Sequence, residues 1–375
     1  MKAQLFFATN RNHEGNDRWN PSGYGPKFSS DGHYNLRFGE LTLDVDEQTV
    51  KQHLNKEFKS GRVGDGEGLA NYLTKQSSHA QIKAFEDQTG KTDTEITFDQ
   101  NSSTRFFKGL KNYMDQSSDV LVYIHGFNVS WDEAVGAALA MEYMVNRHKS
   151  DSDNQVKVVL FSWPSDGSMM PFAAYKSDRS DARDSAQSIA RGILKLRDFL
   201  YRIHRSSDAE LKPCGQSINL LCHSMGNYVL QNALKKIIGY SNSRQMPRVF
   251  DNLFMCSPDV NDNVFENGQP MSQIHELSNH ITVYYNNGDT AMYISDFTKG
   301  NTQRLGHTGT ARPQLIHNKI HQVDCSPIVK GLVEHSYYLW ATVNDDITMT
   351  LNNVPFDSNA RKRKRLANSR EWQME

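Results

Sequence analysis

The pattern of apolar and polar residues changes near residue 119. Beyond it, short, mostly apolar runs, of which 120–124 is continuous, alternate with longer stretches in which apolar residues recur every three or four positions. An unbroken run is typical of a strand that is covered on both faces, and the second pattern is typical of a helix with one buried side. The alternation therefore predicts an α/β fold with a mostly parallel central sheet and helices on both of its faces.

The individual elements follow from these runs. Strands are predicted over residues 120–124, 156–163, 218–221, 250–256, 281–285 and 320–323. Helices are predicted after Ser130, over residues 189–203, after Gly226 and from about Ser336. The first of them begins with a capping box, in which the side chains of Ser130 and Glu133 each accept from the backbone N–H of the other.

The first 118 residues carry a weaker pattern. It predicts strands at 4–9 and 36–43 and helices at 46–59 and 104–114. We expect residues 1–118 to form an N-terminal extension that adds strands to the sheet of a core domain spanning residues 119–350. The glycine-rich stretch 64–68 lacks the Lys-Ser/Thr pair that completes a phosphate-binding loop, so we interpret it as a flexible turn.

Residues 351–375 contain the basic run Arg361-Lys362-Arg363-Lys364-Arg365. Blocks of like charge repel one another and usually remain solvated. We therefore expect this end to be disordered, with a patch for an anionic partner as the alternative.

Charge and cysteine content narrow the class of protein. The chain has 375 residues, with 42 Lys and Arg against 43 Asp and Glu, so net charge gives no attraction to nucleic acid or to an anionic membrane. No signal-peptide core and no integral membrane segment are expected, because every apolar run is too short. We expect a cytoplasmic protein whose widely spaced cysteines are buried thiols, namely Cys214, Cys222, Cys256 and Cys325.

One strand-to-helix junction suggests a nucleophile. The predicted strand at 218–221 runs through Cys222-His223-Ser224-Met225-Gly226 into a helical pattern. This resembles the Gly-x-Ser-x-Gly elbow, with Cys222 in place of the first glycine, in which a strained turn exposes the serine hydroxyl above the sheet. The alternative is an ordinary serine at the start of a helix.

A serine nucleophile needs a base and an orienting acid, which follow it in this order in folds of this kind. Asp289, after the strand at 281–285, is the preferred acid, and Asp259, after the strand at 250–256, is the alternative. His335 is the preferred base because it follows the last predicted strand where a loop enters a helix. The other histidines after Asp289 are His307, His317 and His321.

His317 and His321 have the spacing of two metal ligands on a helix. The segment between them lacks a Glu and is predicted to be strand rather than helix, so we expect no metal. Backbone N–H groups of Phe127 and Met225 are the predicted oxyanion hole. Gly126, in the turn that starts with His125, permits the close approach that the first of these donors needs.

Four motifs together resemble one family. They are LVYIHGFN (121–128), FSWPS (161–165), HSMG (223–226) and HSYY (335–338), with ATNR (8–11) and LRFG (36–39) near the start. The sequence resembles an uncharacterised α/β-hydrolase-fold family, widespread in bacteria and catalogued as a domain of unknown function. The resemblance implies the hydrolase fold and a Ser-Asp-His triad, and it supplies no substrate.

We therefore expect a serine hydrolase that cleaves a small-molecule or lipid carboxylic ester without a cofactor. Alternatives are phospholipase, thioesterase, amidase or acyltransferase chemistry at the same triad, or a hydrolase fold retained as a binding module. The apolar stretch 164–175, with Met169, Met170, Pro171 and Phe172, and the stretch 260–279 are predicted to line an acyl-chain pocket or to pack as ordinary surface loops.

Overall fold

The computed structural model describes residues 1–59, 61–86, 102–116, 118–150, 153–165, 171–205, 215–240, 245–290, 303–331, 334–366 and 370–375, without the side chains of 171–174 and 202–205. The described strands are β1 (Lys2–Thr9), β2 (Arg11–Glu14), β3 (Gly23–Phe28), β4 (Arg37–Asp44), β5 (Glu57–Phe58), β6 (Arg62–Val63), β7 (Gln81–Ala84), β8 (Ser118–Ile124), β9 (Gln155–Ser162), β10 (Ile218–His223), β11 (Phe250–Cys256), β12 (Ser278–Tyr285), β13 (Ile320–Asp324), β14 (Arg363–Arg365) and β15 (Glu371–Met374).

The described α-helices are α1 (Glu47–Leu54), α2 (Gly66–Ser77), α3 (Ser102–Asp115), α4 (Trp131–Asn146), α5 (Pro171–Arg205), α6 (Gly226–Tyr240), α7 (Ile274–Leu277), α8 (Leu305–Thr308) and α9 (Ala341–Leu351). Short 3₁₀ turns cover Pro313–Leu315, Tyr337–Leu339 and Asn359–Arg361. The capping box of Ser130 and Glu133 is present at the start of α4, as predicted. Among these helices none combines the length and the apolar character needed to cross a membrane.

Eleven strands form one sheet, in the order β14-β15-β13-β12-β11-β10-β8-β9-β1-β4-β7. The pairs from β15 to β1 along this order are parallel, and those at the two ends are antiparallel. The predicted mostly parallel α/β sheet is therefore confirmed. Because β8, β10, β11 and β12 run in the same direction, their carboxyl ends lie at one edge, where open α/β sheets carry their sites.

The two faces of the sheet each have an apolar core. One core packs α3, α5 and α6 against the sheet, and the other packs α2, α4 and α9 against its opposite face. Strand β1 contributes to both, because successive side chains of a strand point to opposite faces: Phe6 belongs to the first core and Phe7 to the second. β1, β4 and β7, from the first 118 residues, thus belong to the same sheet.

The prediction that residues 351–375 are disordered is wrong for the described part of this segment, which is 351–366 and 370–375. Strand β15 pairs with β13, and β14 pairs with β15. Arg361 and Arg363 are buried and donate to the Asp346 carboxylate at 3.0 and 2.8 Å. The prediction fails because Asp346, which neutralises the basic run, lies 15 residues away in α9 and cannot be recognised from the local sequence.

Three smaller predictions also differ from the structure. The stretch 64–68 is not a flexible turn: Asp65 is the N-cap of α2, accepts from the Gly68 N–H at 2.8 Å and is almost fully buried. The helix predicted over 46–59 ends at Leu54, and the final helix begins at Ala341 rather than near Ser336.

Candidate active site

Ser224 forms a strained elbow between β10 and α6. Its φ is +51°, in the left-handed region that residues other than glycine rarely adopt, and its N–H donates to the Cys256 carbonyl at 2.9 Å. A Cβ atom at Gly226 would lie 2.6 Å from the Ile124 carbonyl oxygen, so the helix passes too close to β8 for a side chain there. Cys222, at the place of the first glycine, points into the core and does not disturb the turn.

His335 and Asp289 are in direct contact. His335 Nδ1 lies 2.6 Å from Asp289 Oδ2, with the carboxylate fully buried and the imidazole about one-fifth exposed. A carboxylate accepts, so Nδ1 carries the hydrogen, and Nε2 of the neutral ring is left as the proton acceptor. The His335 ring centroid is 4.8 Å from that of His223, which precedes Ser224.

Asp259, the alternative acid, also lies beside the elbow but faces other partners. Its N–H donates to the Ser224 carbonyl at 3.2 Å. Its carboxylate accepts from the Tyr175 hydroxyl at 2.7 Å and lies within 4 Å of the guanidinium groups of Arg179 and Arg304. The structure therefore pairs Asp289, and not Asp259, with His335.

The turn after β8 approaches the elbow closely. A Cβ atom at Gly126 would lie 2.8 Å from Ser224 Cβ, so glycine is required at this position. Within the described part of the chain, neither the Phe127 N–H nor the Met225 N–H donates to another residue. An oxyanion hole requires N–H groups without a protein acceptor, so the prediction for these two donors is retained as part of the proposal below.

His125 is a structural residue of this turn. Its Nδ1 donates to the Gly126 carbonyl at 2.9 Å, its Nε2 accepts from the Trp163 N–H at 3.2 Å, and its ring stacks on that indole. Burial, with the nearby Arg11 charge, lowers the pKa of His125 to about 3. The ring therefore stays neutral and fixes the turn in place.

Two residues that support this turn are not among those predicted from the sequence. Arg11, fully buried, donates to the Val129 carbonyl at 2.7 Å and to the Ser162 hydroxyl at 2.8 Å. Asp178, in α5, accepts from the Asn128 N–H at 3.1 Å. The local sequence carries no signal for Arg11, because polar residues commonly follow a strand and the partners Val129 and Ser162 lie more than a hundred residues away.

The two histidines with metal-ligand spacing do not face a common point. His317 stacks on His275 with the ring centroids 4.0 Å apart, and His321 stacks on Phe356 at the same distance. Among the described residues, no group of three or more His, Cys, Asp or Glu side chains could hold a metal ion.

Cys222, Cys256 and Cys325 are free and buried, and Cys214 lies outside the described residues. Residues 166–170, with Met169 and Met170, and the side chains of Pro171 and Phe172 also lie outside them. In the stretch 260–279, the apolar side chains that join the core are Val260, Val264, Phe265, Met271, Ile274 and Leu277.

Comparison with known proteins supports the fold. Residues 100–349 match a family model described as "Alpha/beta hydrolase of unknown function (DUF900)". No curated protein matches the chain. Among solved structures, Aspergillus fumigatus lipase B is 14% identical with a TM-score of 0.33, and the match covers 62% of this chain and 51% of the lipase. An esterase of the hyperthermophilic archaeon Pyrobaculum calidifontis is 11% identical with a TM-score of 0.30, and the match covers 63% of this chain and 76% of the esterase.

The chain thus spans about half the length of the lipase, and at these identities and TM-scores neither structure bears on its activity. The family match covers two-thirds of the chain, including Ser224, Asp289 and His335. It confirms the resemblance seen in the motifs. The chain belongs to the α/β hydrolases of unknown function.

Proposed function

We propose that the protein is a serine hydrolase that cleaves a carboxylic ester through an acyl-enzyme. The observation that carries this proposal is the 2.6 Å contact between His335 Nδ1 and Asp289 Oδ2 beside the strained elbow of Ser224. A neutral imidazole oriented by a buried carboxylate is the base that a serine hydroxyl requires.

In the proposed mechanism each of these groups has one role. His335 Nε2 takes the Ser224 proton as Oγ bonds to the ester carbonyl carbon, and the Phe127 and Met225 N–H groups stabilise the resulting oxyanion. The proton then passes from His335 to the departing alcohol as the C–O bond breaks. Water repeats the sequence on the acyl-enzyme, releases the carboxylic acid and restores Ser224.

We propose that no organic cofactor or metal takes part, because the groups named above account for every step of the proposed route. We propose a small-molecule or lipid ester as the substrate class. The reason is that the polar and charged groups described at the elbow are already paired within the protein and do not require a charged substrate. These pairs are Asp259 with Tyr175, Asp289 with His335, and His125 with Trp163.

The proposal is tested with a fluorophosphonate probe and a series of p-nitrophenyl esters of increasing acyl length. We expect the wild type to be labelled and to release p-nitrophenol, and Ser224→Ala to do neither. Ser278→Ala is a matched control, because Ser278 is also buried but lies at the start of β12, at the opposite edge of the sheet. A wild-type protein that resists the probe and cleaves none of the esters would overturn the proposal.

A further inference from the structure

His223 connects the parts of the proposed site. It precedes Ser224 in the chain, and its imidazole is only 6% exposed. Its Nε2 lies 3.1 Å from the backbone carbonyl oxygen of His335. A carbonyl oxygen only accepts, so Nε2 carries the hydrogen and donates it to the backbone of His335.

Ring packing holds the His223 imidazole in this orientation. Its centroid lies 4.8 Å from the ring of His335 and 4.6 Å from the ring of Tyr338. The Tyr338 hydroxyl is in turn hydrogen-bonded to that of Tyr123, in β8, at 2.7 Å. Rotation of the His223 ring would therefore displace closely packed groups from two other segments.

The same imidazole lies against the turn after β8. A Cβ atom at Gly126 would be 3.1 Å from His223 Nδ1 and 2.8 Å from Ser224 Cβ. The turn therefore passes over both residues at once. A displacement of the His223 ring would move the base and the oxyanion turn relative to the nucleophile.

A second donor reaches the same carbonyl. Ser257 follows β11 with a φ of +44°, and its hydroxyl donates to the His335 carbonyl at 3.2 Å. Two side chains, from the ends of β10 and β11, thus hold the backbone of His335. The loop that carries His335 enters the site between them and the buried Asp289.

We propose that His223 is a positioning residue, which positions the His335 imidazole relative to the Ser224 elbow by holding the His335 carbonyl. This inference rests on the function proposed above. It requires a neutral His223 with Nε2 as its only donor. Burial, with the adjacent His335, keeps the pKa of His223 well below its ordinary value, which is consistent with that state.

The test compares His223→Leu, which lacks the donor, with His223→Gln, whose side-chain amide can donate from a similar position. We expect His223→Leu to lower kcat for a p-nitrophenyl ester by about 30- to 100-fold with KM changed less than threefold, because a base displaced by about 1 Å costs about that much. His223→Gln should recover kcat to within about fivefold of the wild type. His321→Leu is the matched control, since His321 lies away from the elbow, stacked on Phe356.

The outcomes separate this inference from the proposed function. A wild type that is neither labelled nor active refutes the function. An active wild type with a folded His223→Leu variant of unchanged kcat, or a loss that His223→Gln does not recover, overturns the positioning role alone. If His223→Leu does not fold, Ser257→Ala decides: a fall in kcat of about three- to tenfold at constant KM supports the role, and an unchanged kcat overturns it.

Discussion

Asp289 and Asp259 should respond in opposite ways to the same substitution. Both carboxylates are buried, and both follow strands whose carboxyl ends lie at the same edge of the sheet as the carboxyl end of β10. Asp289 contacts His335, whereas Asp259 contacts Tyr175 and two arginines. Replacement of each by Asn removes one negative charge with almost no change in volume, so the pair of variants separates a role in catalysis from a role in stability.

For Asp289→Asn we expect kcat to fall by about ten-thousand-fold. The carboxylate accepts the Nδ1 hydrogen of His335 at 2.6 Å, and this fixes Nε2 as the base. An amide can present its NH₂ group to that nitrogen instead, which selects the tautomer with the hydrogen on Nε2 and leaves Ser224 without a base. A loss of about this size follows when the orienting acid of a serine triad becomes an amide. Fold and KM should change little.

For Asp259→Asn we expect the reverse. Arg304 is fully buried and has its Nε 3.6 Å from Asp259, so the substitution takes a carboxylate from a guanidinium that water does not reach. Loss of one member of a buried pair costs about 3 to 5 kcal/mol of unfolding free energy. kcat should stay within about tenfold of the wild type, because His335 keeps its acid.

Both quantities are measured on the same preparations. Initial rates with a p-nitrophenyl ester give kcat and KM, and urea titration gives the free energy of unfolding. An active Asp289→Asn together with an inactive but stable Asp259→Asn would show that Asp259 orients the base and that the assignment of the acid is wrong.

The remaining predictions concern other parts of the molecule. Ser224→Ala should abolish probe labelling and lower turnover by about four to six orders of magnitude, with labelling that persists counting against this nucleophile. His317→Ala and a chelator should leave kcat unchanged, and a loss restored by zinc would contradict that expectation. Asp346→Asn should lower the free energy of unfolding in urea by about 3 to 5 kcal/mol, because Arg361 and Arg363 both donate to this carboxylate; an unchanged transition would show that the C-terminal strands do not depend on it. Burial, with Arg363 nearby, lowers the pKa of His321 to about 4, so the unfolded chain binds a proton there between about pH 6.5 and pH 4 and the folded chain does not. The free energy of unfolding should therefore fall by up to about 1.4 kcal/mol for each pH unit by which the pH is lowered through that window. His321→Phe should remove this part of the slope.

Much of the core fold could be predicted because the central parallel strands β8, β10, β11 and β12 are buried on both faces. The strand predicted over residues 250–256 is β11 itself, in which the apolar residues from Leu253 to Cys256 are all buried. The pairing of Asp289 with His335 was also predictable from chain order, because consecutive parallel strands bring their carboxyl ends to one edge. The ends of helices were harder to predict where a turn, and not a change in the apolar pattern, ends or precedes the helix, as at Leu54 and Ala341.

The C-terminal strands could not be predicted in the same way. Only Trp372 and Met374 of β15 are buried, so the apolar pattern covers two positions. The basic run before them is stabilised by Asp346, and local sequence does not reveal a partner that lies in an earlier helix. A run of like charge is solvated when it lacks such a partner. Here the Asp346 carboxylate accepts from Arg361 and Arg363, and both arginines are buried.

The support of the turn after β8 is another long-range arrangement of buried polar groups. Arg11, from the end of β1, reaches Val129 across more than a hundred residues, and Asp178, from α5, reaches Asn128. A buried guanidinium or carboxylate is destabilising unless every donor and acceptor finds a partner, so these groups stabilise only the one arrangement in which all of them meet. The elbow of Ser224 is defined by a short local motif, but the turn that approaches it is held by residues far apart in the sequence. This difference explains why the elbow could be predicted from its neighbours in the chain and the support of the adjacent turn could not.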